Sequence, residues 1–160
     1  MLLQLHVALS LIGILTGLVV LFDLLQGRLR SSWTAVFLAT TVLTSVTGFP
    51  LPPFGFDPPR AVGVLSLVLL ALALAGLYVF HLAGIWRRVY VITAIAALYL
   101  NVFVAVAQSF QKIPALNALA PTQSEPPFAV AQVVVLAIFV VLGWRAVRAF
   151  NGAPALQSAG

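Results

Sequence analysis

The sequence predicts an all-α integral membrane bundle of five transmembrane helices, N-terminus outside and C-terminus cytoplasmic. Three observations carry this expectation. Hydrophobic residues make up 62% of the 160 and charged residues 7%, against roughly 45–50% and 25% in soluble domains. Five apolar stretches are divided by prolines, glycines and arginines. The arginines and tryptophans also sort to one side once five crossings are assumed. A chain with so little polar surface cannot cover a water-facing exterior and must lie in lipid.

The first helix is expected from about His6 to Leu25, roughly the 20 residues that cross ~30 Å of hydrocarbon. MLLQLHVALS has no basic leader, and its apolar run continues with no small-residue cleavage site. It therefore reads as a retained first span, not a signal peptide. Gln26-Gly27-Arg28-Leu29-Arg30 turns the chain. Ser31 and Ser32 are expected to cap the second helix, Trp33 to Phe49, which Pro50 stops. This helix is short and carries Thr40, Thr41, Thr44, Ser45 and Thr47.

Asp57-Pro58-Pro59 reads as an N-cap followed by prolines in a first helical turn, opening the third helix, Arg60 to His81. Gly84-Ile85-Trp86-Arg87-Arg88 leads into the fourth, Val89 to Phe110. Ser124-Glu125-Pro126-Pro127 repeats the cap-and-proline pattern before the fifth, Phe128 to Trp144. Residues 1–150 thus form one five-helix domain, and 151–160 a flexible tail of small and polar residues.

With five crossings, Arg28, Arg30, Arg87, Arg88, Arg145 and Arg148 fall on one side, with Arg60 and Lys112 opposite. The positive-inside rule makes the arginine-rich side cytoplasmic. Trp33, Trp86 and Trp144 land on the same side, at the interface depth that indoles favour. The net charge of +5 is dispersed over short loops, so it reads as membrane topology and not as a nucleic-acid-binding stripe.

Two helix faces hold the small and polar residues that pack helices in lipid. The first carries His6, Ser10, Gly13 and Gly17, including a GxxxG; the fourth carries Ala94, Ala97, Asn101, Ala105, Gln108 and Lys112. Both are expected to face the interior. The candidate ligand-binding residues are His6, Asn101, Gln108, Lys112 and Glu125, with Phe54, Phe56, Phe110 and Phe128 around the mouth. Each has a plainer role beside it. Asn101 can join two helices, Lys112 can snorkel or pair with Glu125 or Asp57, and both acids can cap helices. His81 is expected within reach of Asp23.

Catalysis has little material. The chain has no cysteine, no HExxH, no glycine-rich phosphate loop and no paired carboxylates inside a helix. His6 and His81 lie near opposite faces, roughly 20–30 Å apart by helix rise, so they cannot share one haem iron. No metal site or cofactor is required by the sequence.

ALYLNVFVAVAQSFQKIPALNALAPTQSEPPF, together with TVLTSVTGF, resembles stretches in small bacterial inner-membrane proteins without an established activity. The resemblance implies a multi-pass inner-membrane location and brings no site. In size the chain is similar to DoxX-like four-helix membrane proteins, with one helix more and no shared motif. The leading expectation is a non-catalytic accessory or scaffold subunit, in a homo-oligomer or a larger membrane complex. The alternative is binding or transport of a small or lipophilic ligand, such as a quinone or lipid. A membrane-embedded enzyme or redox subunit using His6 or His81 ranks third.

Overall fold

The computed structural model describes residues 1–52, 55 and 57–153, and all regular structure among them is helical. The order is α1 (Leu2–Leu25), α2 (Ser31–Gly48), α3 (Pro58–Leu74) with a π-helical turn (Ala75–Val79), α4 (Trp86–Lys112), α5 (Pro114–Leu119) and α6 (Pro126–Gly152). Four of the described helical segments are long and apolar enough to cross a membrane: Leu2–Leu25, Pro58–Val79, Trp86–Lys112 and Pro126–Gly152. The 18 residues of α2 fall outside that group because hydroxyl side chains dilute its apolar character.

The centre of the bundle is α4. Half of its apolar stretch is buried (50%), against 28% for α1 and 11% for α6. Its inward face carries Tyr90, Val91, Ala94, Ala97, Leu98 and Asn101, and the two alanines let neighbouring backbones come close. α1 and α2 pack along one side of α4, α3 and α6 along the others. The glycine face of α1 meets this surface directly. A Cβ at Gly17 would lie 2.5 Å from Leu98 Cδ1 and 2.9 Å from the Phe37 ring. One at Gly13 would lie 3.2 Å from Thr41 Oγ1 and 3.5 Å from Asn101 Nδ2. The GxxxG therefore closes an internal three-helix contact.

Several boundaries differ from the sequence expectation, each for a local reason. α6 runs on to Gly152, past Trp144, because Ala146 and Phe150 are fully buried and Phe150 packs 6.3 Å from the Tyr90 ring. Tertiary contact thus holds a segment whose arginines had marked it as an end. α3 does not continue as α-helix to His81: it widens at Ala75, and His81 and Leu82 adopt left-handed φ of 47° and 59°. Gly76 makes room there, since a Cβ would sit 3.2 Å from the Trp86 carbonyl oxygen. α5 was not expected; it starts with Pro114 at its first position, where a missing N–H costs nothing.

Capping is also redistributed. Ser31 and Ser32 do not cap α2; Arg30 holds the N-cap position, without a side-chain cap. Asp57 caps α3 as expected, accepting from the Arg60 amide at 3.1 Å. Glu125 occupies the N-cap of α6 but makes no cap bond to it. The expected tail is helical as far as Gly152, and residues 154–160 lie outside the described residues.

Two glycines provide a paired test of the three-helix contact. Gly17→Ala should destabilise the protein by about 1–3 kcal/mol through overpacking. Gly143→Ala, whose nearest contact would be Ile95 at 3.7 Å, should be neutral or raise the thermal midpoint through better helix propensity. Thermal unfolding in detergent of both variants reads the contrast.

Candidate functional site

No two of the five candidate residues share a hydrogen bond or ion pair among the described residues, but His6 and Lys112 lie close enough to interact through charge. His6, half-buried, lies with Nδ1 3.0 Å from Thr47 Oγ1. The Thr47 hydroxyl already donates to the Leu43 carbonyl at 2.7 Å, which makes the imidazole Nδ1–H the donor and fixes the tautomer. Asn101 is buried and donates from Nδ2 to Thr41 Oγ1 at 3.4 Å, joining α4 to α2 beside Gly13. Gln108 is half-buried and makes no hydrogen bond among the described residues. Lys112 is exposed in the last turn of α4, where a cation complements the helix dipole. It does not pair with Asp57, which holds Arg60 at 3.1 Å, or with Glu125.

The Glu125 carboxylate turns back on its own loop. It accepts from Thr122 Oγ1 at 2.8 Å, from the Thr122 amide at 3.3 Å and from the Ser124 amide at 3.1 Å. Loss of hydration works against ionisation, but these bonds outweigh it and hold the carboxyl below its ordinary value. A depressed value means that the bonds stabilise the loop above the ordinary carboxylate range and are lost as pH falls through the folded-state value. An NMR titration of the Thr122 and Ser124 amides should therefore show a midpoint below that of a free glutamate.

Phe110 and Phe128 meet edge to face at 5.4 Å; Phe54 and Phe56 lie outside the described residues. Among the described residues, no hydrogen bond or ion pair joins any two of His6, Asn101, Gln108, Lys112 and Glu125. Groups of three or more His, Asp or Glu side chains that could hold a metal are also absent among them. His6 and His81 sit at opposite ends of the bundle, one beside the end of α2, the other after the π turn.

The loop after α4 folds back on that helix through residues that were not singled out. Gln123, at φ 60°, donates to the Ala107 carbonyl at 2.7 Å and accepts from Gln111 at 3.2 Å. Asn117 donates to the Phe110 carbonyl at 3.2 Å. Gln132, an amide within an apolar helix, is buried and donates to the Phe103 carbonyl at 3.1 Å, while its Oε1 has no partner among the described residues. An isolated amide in such a run is a readable signal of a helix-to-helix bond.

The most deeply buried charge is at the other end. Asp23 is 2% exposed and accepts from Arg30 Nε at 2.7 Å. It does not meet His81, which is exposed. The correction follows from the turn: the Asp23 carbonyl accepts from the Gln26 and Arg28 amides, Gly27 takes φ 67°, and the chain doubles back to bring Arg30 onto the carboxylate. The hydrogen bond from Arg30 to Asp23 raises the pKa of that guanidinium. Nearby, the Tyr90 hydroxyl is buried without a partner of good geometry, as is Asp23 Oδ1. Arg87 lies over the Phe150 ring at 4.9 Å and donates to the Ala153 carbonyl at 3.4 Å, tying α4 to the end of α6.

No protein-family model, curated protein or solved structure matches this chain. The reading of its function therefore rests on its own residues.

The ion pair is testable as a unit. Arg30→Met, which strands a buried carboxylate, should lower the thermal midpoint more than Asp23→Asn does. The Asp23→Asn/Arg30→Met double variant should recover part of that loss. Equal and additive losses would show that the two side chains act independently.

Proposed function

We propose that this chain is a five-span inner-membrane protein, N-terminus outside and C-terminus cytoplasmic, that serves as a non-catalytic accessory or scaffold subunit. One observation carries this reading. Asn101, His6 and Gln132 each bond to a neighbouring helix, and among the described residues no hydrogen bond or ion pair joins any two of the five candidate residues. Asn101 reaches Thr41, His6 reaches Thr47, and Gln132 reaches the Phe103 carbonyl. Such bonds fasten helices in lipid and leave little chemistry to direct at a substrate.

The fifth span is α2. Its 18 residues rise about 27 Å, and three of its hydroxyls are satisfied within the helix. Thr40, Ser45 and Thr47 donate to the carbonyls of Val36, Thr41 and Leu43. The basic loops support a cytoplasmic location for the α1–α2 and α3–α4 turns and for the end of α6. Because Phe37 and Leu98 already cover Gly17, partners in a homo-oligomer or larger complex meet the outward faces of α3 and α6, where Val64, Val68, Val133 and Val140 are exposed.

A second reading, binding of a lipophilic ligand such as a quinone or lipid, draws on a different feature. An apolar groove of about 450 Å³ runs between α2 and α3, lined by Leu38, Val42, Leu74 and Tyr78 among others. It makes no use of the five outer polar residues.

The chain lacks cysteine, so single introduced thiols report topology cleanly. A membrane-impermeant maleimide should label Gly55→Cys and Thr122→Cys on intact cells, and Arg28→Cys and Arg148→Cys only after permeabilisation. Labelling of Gly55→Cys and Arg28→Cys from the same side would remove α2 as a span. For function, native mass spectrometry of gently extracted protein should show protomer multiples or a second polypeptide, unchanged by Asn101→Leu. A small molecule retained by the wild type and lost in Asn101→Leu, or in Val42→Trp within the α2–α3 groove, would replace the scaffold reading with a binding protein.

A further inference from the structure

The start of α4 carries an electrostatic imbalance. Arg87 and Arg88 stand in the first turn of a 27-residue helix with no acidic residue there, at the end where the helix dipole is itself positive. The three acidic side chains of the sequence are all engaged elsewhere. Asp23 holds Arg30, Asp57 holds Arg60, and Glu125 holds Thr122 and Ser124. Arg87 Nε is buried without an acceptor, and Arg88 is exposed and makes no ion pair or hydrogen bond among the described residues.

Both arginines line one cavity of about 530 Å³, open to the surface, with Leu82, Gly84, Ile85 and Asn151 completing its wall. Its position is held from two sides. Phe80 stacks on Trp86 at 4.0 Å and 5°, which braces the loop before α4. Arg87 is fixed against Phe150 and Ala153 of the neighbouring α6 end. The lining is two-natured: two guanidinium groups and an amide on one part, Leu82 and Ile85 on another, with Ile85 71% exposed.

We propose that this cavity binds the phosphate of an anionic phospholipid headgroup. The planar, five-donor guanidinium fork matches phosphate oxygens, and the Asn151 amide adds a further donor. An anion here also neutralises the arginines and the helix dipole together. The exposed Ile85 beside the cationic groups selects an amphiphile over a free phosphate, since a lipid's glycerol and upper acyl chain cover that apolar surface. Basic pockets between helices on the cytoplasmic side are where such headgroups bind. The inference rests on the membrane-spanning reading above.

The test is lipid titration of the 160-residue chain in neutral detergent, followed by native mass spectrometry. Phosphatidylglycerol and phosphatidylcholine of the same acyl chains are compared. Wild type should take up one phosphatidylglycerol preferentially, and Arg88→Gln should weaken that binding about tenfold. Arg88→Lys, which keeps the charge but loses the fork, should fall between them. Arg148→Gln is the control, because Arg148 lies outside the cavity, over Trp144 at 4.3 Å. Equal uptake of the two lipids, or an equal loss in Arg148→Gln, overturns the site. Displacement of the lipid by millimolar inorganic phosphate, or by an acidic peptide, overturns the headgroup assignment. Failure of the underlying reading looks different: a protein that stays soluble without detergent is not a membrane protein at all. A protein that needs detergent but shows no preference refutes only this inference.

Discussion

The close approach of α1, α2 and α4 around Gly13 and Gly17 is the constraint on which the rest of the bundle depends. Hydrocarbon supplies no hydrophobic drive between helices, so association rests on van der Waals contact and a few polar bonds. At Gly17 the Leu98 and Phe37 side chains occupy the space where a Cβ would stand. This brings α1 near enough for Asn101 and Thr41 to meet beside Gly13. With one face of α4 occupied in this way, α3 and α6 take its remaining sides. Their own outward faces stay largely apolar and exposed.

Charge follows the same economy. A carboxylate as deeply buried as Asp23 survives only with a partner, and Arg30 arrives because the turn at Gly27 reverses the chain within a few residues. Asp57 and Arg60 repeat the logic at the opposite end, where the guanidinium also donates to the carbonyls of Phe49 and Leu51 and so closes the α2–α3 connection. Each acid stabilises one local structure, and the surplus arginines gather at one end, where Arg28, Arg88, Arg145 and Arg148 are exposed. The excess of positive charge is therefore a property of that end and not of the whole surface.

The helical class and the main helix breaks were legible because proline, glycine and arginine act locally. The Asp57 cap depends on residues only three apart, and it was found. The partner of Asp23 was misread, because choosing between His81 and Arg30 requires knowing how the Gly27 turn closes. The end of α6 was misread for a related reason: Arg145 and Arg148 signal an end, while the burial of Ala146 and Phe150 depends on Tyr90, far away in the sequence. The π turn at Ala75 could not be read from periodicity, since it arises where Gly76 meets the Trp86 carbonyl. For the candidate residues, the sequence placed polar side chains on shared helix faces but did not show that Asn101 would meet Thr41 or that His6 would meet Thr47. Helical spacing places residues on one face without saying which neighbour each will meet.

The character of α2 shows why residue-by-residue hydropathy understates this bundle. Each threonine or serine enters such a sum as a polar group, yet Thr40, Ser45 and Thr47 return their protons to carbonyls one turn earlier. A hydroxyl bonded this way leaves little unsatisfied polarity on the helix surface. The Thr47 oxygen then remains free to accept from His6. Asn101 similarly reaches Thr41 at an interface already closed by glycine. Two of the α2 hydroxyls thus also fasten it to its neighbours, Thr47 to α1 and Thr41 to α4.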